Sequence, residues 1–307
     1  MRVLVVTAVA AERDAVVAAF ADPADPAVAV TPLAGTWELH HVGALAVLAA
    51  GVGPAAAAAG TATALALAPA APRFGAPFPP DPGGKPPVPG LRGELAEPGA
   101  ATPHDAGEPS PGGRPPGAMP GLRGEAAGPE PGVPPAYDLV VSAGIGGGFA
   151  GVAALEGLVV ASSIVAADLG VRTADGFTDV AELGFGRVAH EPPAALARAA
   201  ADAAGAALGP VLTVATVTGT AERAAELAAR HPGAAAEGME GFGVAEAAAA
   251  HGVPVLEVRA ISNPVGPRDR AAWRIPAALR ALTGAFVRIE PVLRTVSGGT
   301  DHGTDRR

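Results

Sequence analysis

Two short stretches place polar groups inside otherwise apolar chain: Glu237 and Glu240 in AEGMEG, and Ser262-Asn263 at the end of PVLEVRAISNP. A third acid, Glu12, stands in TAVAAERD. A carboxylate accepts from hydroxyls or takes a proton from water, and an amide both donates and accepts, so this set suits acid–base work on a polar small molecule. A plainer reading exists for two of them. Glu12 and Glu240 precede Ala-rich stretches, and an acid in the first turn of a helix is favoured by its unsatisfied N–H groups and macrodipole.

Glycine-rich runs supply the other candidate contacts, AGVGP at 50–54 and SAGIGGGFAG at 142–151. Both are expected as turns after strands, where glycine lets backbone approach a ligand and leaves N–H groups free to hold oxygens. Gly144-Ile145-Gly146 invites a dinucleotide reading, yet the acid that should follow the second strand has no clear position, and no Walker lysine follows either run.

Strands and helices must position these groups. The pattern predicts a strand at 2–8, a helix to about Phe20, paired strands over 37–50, and a helix over 55–67. Further strands are expected at 138–143, 157–165, 210–217 and 234–239, with helices at 193–207 and 221–231. Val253 to Ile261, rich in β-branched residues, reads as a buried strand after a helix closed near Gly252. Pro264 biases Asn263 away from helix, so the amide falls where that strand stops. A final helix begins near Pro276. The expected fold is a three-layer α/β/α domain with a central mixed sheet, whose ligand crevice lies at strand carboxyl ends.

Residues 72–135 break this pattern. Proline and glycine dominate there and PGLRGE occurs twice, at 89–94 and 120–125. Such a segment buries too little apolar area to offset the entropy of ordering it, so it is expected to be a disordered insertion. The tail at 296–307 reads likewise, leaving 1–71 and 136–295 as one domain of about 240 residues.

Composition narrows the function. A net charge of −9 without a basic stripe argues against nucleic-acid partners. The absence of cysteine removes thiol catalysis and thiolate metal sites, and the histidines show no metal-ligand spacing, so neither metal nor cofactor is expected. The uncharged run at 42–72 is interrupted by Gly51, Gly53, Pro54 and Gly60, which favours strand, turn and buried helix over a membrane span. The amino-terminal apolar run is short and lacks a basic region and a cleavage pattern. A soluble cytoplasmic protein is expected.

The order of Glu12, the two glycine runs, EGMEG and AISN resembles the nucleoside phosphorylase superfamily, and within it the methylthioadenosine/S-adenosylhomocysteine nucleosidases and futalosine hydrolases. DLGVRT at 168–173, ELGFG at 182–186 and AISNPVG at 260–266 most resemble futalosine hydrolases. The resemblance implies a nucleoside phosphorylase-like fold and a small-molecule nucleoside substrate held by a homo-oligomer. It assigns ribose binding to Glu240, sugar packing to Met239, and water activation to Glu12. Gly53, Gly146, Gly147 and Thr218 are the other expected substrate contacts.

Asn263 stands where adenine-specific relatives carry Asp. An amide can donate to N7 or to a 6-oxo group, where a bare carboxylate would repel, so Asn263 tilts the base toward hypoxanthine. The implied reaction is hydrolysis of futalosine, a hypoxanthine nucleoside whose 5′ extension ends in a carboxyphenyl ketone, in an alternative menaquinone pathway. Its carboxylate calls for an arginine, and Arg172 or Arg268 are the candidates. No Arg or Lys follows the first glycine run to anchor phosphate, although Arg13 and Arg259 could lie nearby. That balance favours hydrolysis over phosphorolysis. The segment that bears a base-stacking aromatic in related nucleosidases reads TVTGT here, at 216–220.

Overall fold

The computed structural model describes residues 2–20, 28–67 and 136–295, all of which fall in one compact unit. The predicted insertion at 72–135 and the tail at 296–307 lie outside the described residues.

Strand β1 (Val3–Thr7) leads into α1 (Ala10–Ala18), and β2 (Ala29–Pro32), β3 (Glu38–Val42) and β4 (Leu45–Ala49) form a meander before α2 (Pro54–Leu67). Then follow β5 (Leu139–Gly148), β6 (Leu158–Ala166), the β7–β8 hairpin (Gly170–Thr173, Gly176–Asp179), β9 (Ala189–His190) and α3 (Ala194–Ala204). β10 (Ala207–Thr213), α4 (Ala221–Arg230), β11 (Ala236–Gly238), α5 (Gly241–Ala250), β12 (Val255–Pro264) and α6 (Ile275–Thr295) complete it.

Ten strands share one mixed sheet in the order β11-β10-β6-β12-β5-β1-β4-β3-β2, with β9 on β6. β11 also pairs antiparallel with β5, so β5, β12, β6, β10 and β11 close into a ring of pairings. Alternation along β1 sets the layers. Val3 and Val5 join one core with α1, α3 and α6, through Val16, Leu196, Leu282 and Phe286. Leu4 and Val6 join the other with α2 and α5, through Ala57, Ala64, Val244 and Ala248. Each fully buried Val, Leu, Ile or Phe side chain here contributes roughly 1.5–3 kcal/mol against exposure.

The Ala-rich composition has a packing consequence. α2 and α5 approach so closely that a Cβ on Gly243 would stand 2.0 Å from the Pro54 carbonyl oxygen, so this residue must be glycine to bring the two helix starts together. Pro54 suits the first turn of α2, where its missing N–H has no intrahelical partner to lose.

Two expectations need correction. The second glycine run is no turn: Gly144 to Gly148 continue β5, which pairs with β12 from Val140 to Gly148. Strand pairing keeps the run extended, since glycine permits a turn but does not require one. β10 ends at Thr213 rather than Val217, because Asp168 draws the next backbone into a loop, its Oδ2 accepting from the N–H groups of Ala215 at 2.7 Å and Thr216 at 3.4 Å. The short strands β2, β7, β8 and β9 lacked a hydrophobic run long enough to announce them.

Candidate active site

Glu12 lies in the first turn of α1, just past the carboxyl end of β1, and is buried. Its Oε2 accepts from the Ala8 and Val9 N–H groups at 2.9 and 3.3 Å, and its Oε1 accepts from Ile145 N–H of β5 at 2.9 Å. Gly144 makes this approach possible, since a Cβ there would stand 2.6 Å from Glu12 Oε1. Burial pushes the Glu12 carboxyl above its ordinary range, while the Ile145 N–H and the charge of Arg259 pull the other way.

Glu240 is the residue that opens α5, but its side chain makes no capping bond. Its Oε1 accepts from Gly53 N–H at 3.2 Å, and its Oε2 accepts from Arg259 Nη1 at 3.1 Å and from Met239 N–H at 3.3 Å. A guanidinium in direct contact, more than the helix start, is thus what compensates its charge. Gly53 has φ +93°, a conformation glycine adopts without strain, and this turns its N–H toward the acid.

Arg259 connects the acids. It is 1% exposed, and its Nε donates to Glu257 Oε1 at 2.8 Å, with Ser142 Oγ and the Ile145 carbonyl each 3.3 Å from its terminal nitrogens. Burial alone would lower its pKa, but Glu257, Glu240 and Glu12 outweigh that and raise it. Sequence reasoning missed Glu257 and its pairing with Arg259; the signal that could have found them is two opposite charges two apart on one face of an apolar strand. They explain the glycines of EGMEG. A Cβ on Gly238 would stand 2.9 Å from Arg259 Cζ, and one on Gly241 would stand 2.3 Å from Glu257 Oε2.

Asn263 follows an irregularity in the β12–β5 register and stands opposite Gly147, whose imagined Cβ would lie 3.3 Å from Asn263 Nδ2. Gly146 faces the Glu237 carbonyl oxygen, which would lie 2.6 Å from a Cβ there. Asn263 Nδ2 donates to the Pro264 carbonyl at 3.0 Å, and Ser262 Oγ donates to Asn263 Oδ1 at 2.8 Å. Ser262 thus holds the amide oxygen and the Pro264 carbonyl takes one amide hydrogen, which leaves the second hydrogen of the NH₂ as a donor. Glu12 and Asn263 therefore both sit against the carboxyl half of β5, while Glu240 joins Glu12 through Arg259.

Thr218 and Arg172 lie elsewhere. Thr218 is buried, and both its hydroxyl and its N–H donate to the Glu237 carboxylate, which ties down the 216–220 loop. Arg172, on β7, lines a cavity of about 780 Å³ whose wall includes Pro54 and Phe242, the residues flanking Gly53 and following Glu240. Arg223 and Glu226 of α4 line the same cavity and were missed by sequence reasoning. Arg268 stacks 5.8 Å from the Trp273 ring centroid instead. Arg13 pairs with Asp14 at 2.8 Å, and the buried Arg259 is already committed to carboxylates, so neither is poised to take a phosphate. Among the described residues no group of three or more potential metal ligands occurs.

The chain has relatives among known proteins. Residues 136–288 match the phosphorylase superfamily model. Over 159 residues the chain is 71% identical to the futalosine hydrolase of Streptomyces coelicolor, covering 52% of this chain and 68% of that protein. The chain belongs to the futalosine hydrolase family. The futalosine hydrolase of Acidothermus cellulolyticus is 47% identical over 156 residues, 49% of this chain and 63% of the relative. The fold agrees with the native structure of Helicobacter pylori futalosine hydrolase at a TM-score of 0.60 and 15% identity, over 96% of this chain and 97% of that one. The family's α/β fold, with helices on both faces of a mixed sheet, is the one found here.

Proposed function

We propose that the protein hydrolyses the N-glycosidic bond of futalosine, releasing hypoxanthine and dehypoxanthine futalosine. The observation that carries this reading, beyond family membership, is the fixed set of Glu12 and Glu240 around a buried Arg259 that has no guanidinium edge left for phosphate. Bond breaking places positive charge on the ribosyl ring, and two nearby carboxylates stabilise that charge more than they stabilise the neutral ground state.

Each side chain has a part in this reading. Glu12 accepts the proton of the attacking water; its burial suits this, because a carboxyl pushed above its ordinary range is a stronger base. Glu240 accepts from the ribose hydroxyls with Met239 against the sugar, and Gly53, Gly146 and Gly147 let the substrate approach backbone. Asn263 donates to the departing 6-oxopurine. Thr218 shapes the loop beside the pocket, and Arg172 faces the substrate's 5′ end. No cofactor is required.

The reading extends to a cytoplasmic homo-oligomer serving menaquinone synthesis. Among the described residues no helix is long and apolar enough to cross a membrane. It also treats 1–71 and 136–295 as the working domain, so deleting 72–135 should leave activity intact.

Chromatography of purified protein with futalosine, inosine and methylthioadenosine, each with and without phosphate, tests the assignment. Phosphate-independent hypoxanthine release from futalosine is expected. Adenine release from methylthioadenosine, or a phosphate requirement, would overturn it.

A further inference from the structure

Arg172, Arg223 and Glu226 line one wall of the 780 Å³ cavity, and Arg230 approaches Glu226 from beside it. Arg172 Nη2 and Arg223 Nη1 each lie 2.8 Å from a different oxygen of Glu226, and Arg230 Nη1 lies 3.7 Å from the first of these. Three guanidiniums thus share one carboxylate, while Asp168 nearby is occupied by the Ala215 and Thr216 N–H groups. Arg223 and Arg172 together hold the Glu226 carboxyl down to about 2. Positive charge exceeds what Glu226 alone neutralises, and it faces open cavity.

Much of the remaining lining is apolar, with Asp168, Thr213 and Thr216 among it. Phe177 carries Arg230 4.0 Å above its ring centroid and Arg172 at 5.7 Å, and Leu169, Val217 and Phe242 continue the surface. An aromatic shelf ending in guanidiniums has the chemistry of a site for an aryl carboxylate, because the ring desolvates on the shelf and the anion finds a planar, two-pronged donor. We propose that Arg223, with Arg172, binds the terminal carboxylate of the substrate's 5′ extension, and that Glu226 is a positioning residue that holds the two guanidiniums apart and oriented before the substrate arrives. Arg223 is the stronger anchor. It is the less exposed of the two, and Thr220 Oγ1, the cap of α4, accepts from its backbone N–H at 3.2 Å, which fixes its base.

This rests on the futalosine reading, so the test separates the two. Hydrolysis of futalosine is compared with that of its neutral carboxamide counterpart, following hypoxanthine, in the wild type and in Arg223→Gln, Arg172→Gln and Glu226→Gln. The wild type should favour the carboxylate by about tenfold or more in kcat/KM, as expected of hydrogen bonds to a charged group. Arg223→Gln should abolish that preference, chiefly through KM, and Arg172→Gln should reduce it less. Glu226→Gln should weaken the preference, lowering efficiency on futalosine by a larger factor than on the carboxamide. Equal efficiency on both compounds in the wild type overturns the subsite without any variant, and so does an Arg223→Gln protein that loses the same factor on both. If neither compound yields hypoxanthine, the futalosine reading itself falls and takes this proposal with it.

Discussion

The two ionic clusters use the same side chains under opposite conditions. Around Arg259 the guanidinium is 1% exposed and two carboxylates contact it directly, with Ser142 and the Ile145 carbonyl beside it. Around Glu226 the arginines face a cavity, and Arg172 is 54% exposed. Desolvation makes every member of the first cluster expensive to leave unpaired, so it is a fixed frame. Water and salt screen the second, so its members can exchange partners with an incoming anion. The difference separates a dry, fixed frame from an ionic cluster open to solvent, and the proposed roles of acid–base frame and anion site follow that contrast.

Removing the base should have the largest effect on rate. Glu12→Gln keeps shape but cannot take a proton, and kcat should fall by roughly 10²–10⁴-fold. Steady-state assays that found kcat retained would move the base elsewhere. Breaking the dry frame should have the largest effect on stability. Arg259→Met leaves Glu240 and Glu257 buried without their cation, and denaturant titration should show a loss of about 3–5 kcal/mol.

Gly144→Ala probes the fit between β5 and Glu12 more gently. The added methyl would meet Glu12 Oε1 at 2.6 Å. A shift of the acid or the strand should cost about 1–3 kcal/mol of stability and displace the base, lowering kcat with it. An unchanged kcat would show that Glu12 needs no such exact seat.

A subtler effect concerns pH. Burial raises the Glu257 carboxyl above its ordinary value against the pull of Arg259. A carboxyl raised in the folded state binds its proton more tightly there than when unfolded, so its contribution is full below the unfolded value near 4.5 and is lost as pH rises through the folded one. Thermal melts of Glu257→Gln against wild type should therefore shift in favour of the variant as pH rises from 4.5. A difference constant with pH would mean that Glu257 stays ionised throughout. The smallest stability change is expected in the wet cluster, where Arg223→Gln should cost below about 1 kcal/mol. A loss matching that of Arg259→Met would erase the contrast between the clusters.

Much of this was readable in the chain. The apolar run VLVVT announced β1, the Ala-rich stretches announced the helices, and Pro264 marked where β12 delivers Asn263. The motif order and the family resemblance it carries singled out Glu12 and Glu240. The glycines of β5 were misread because local sequence shows only that a turn is allowed. Their use became visible once Glu12, the Glu237 carbonyl and Asn263 were seen against them. Arg223 and Glu226 look like any exposed i, i+3 pair on an amphipathic helix, and only the arrival of Arg172 from β7 distinguishes them.

By itself, then, the sequence determined the alternation of elements and the residue types available for chemistry, because periodicity and capping are local properties of the chain. Partnership was decided by tertiary structure alone. Arg259 reaches acids from α1, α5 and its own strand, and the cavity arginines come from β7 and α4. Those contacts exist because strands distant in sequence lie side by side in the sheet, and the resulting burial fixes which charges must pair and which remain open to a ligand.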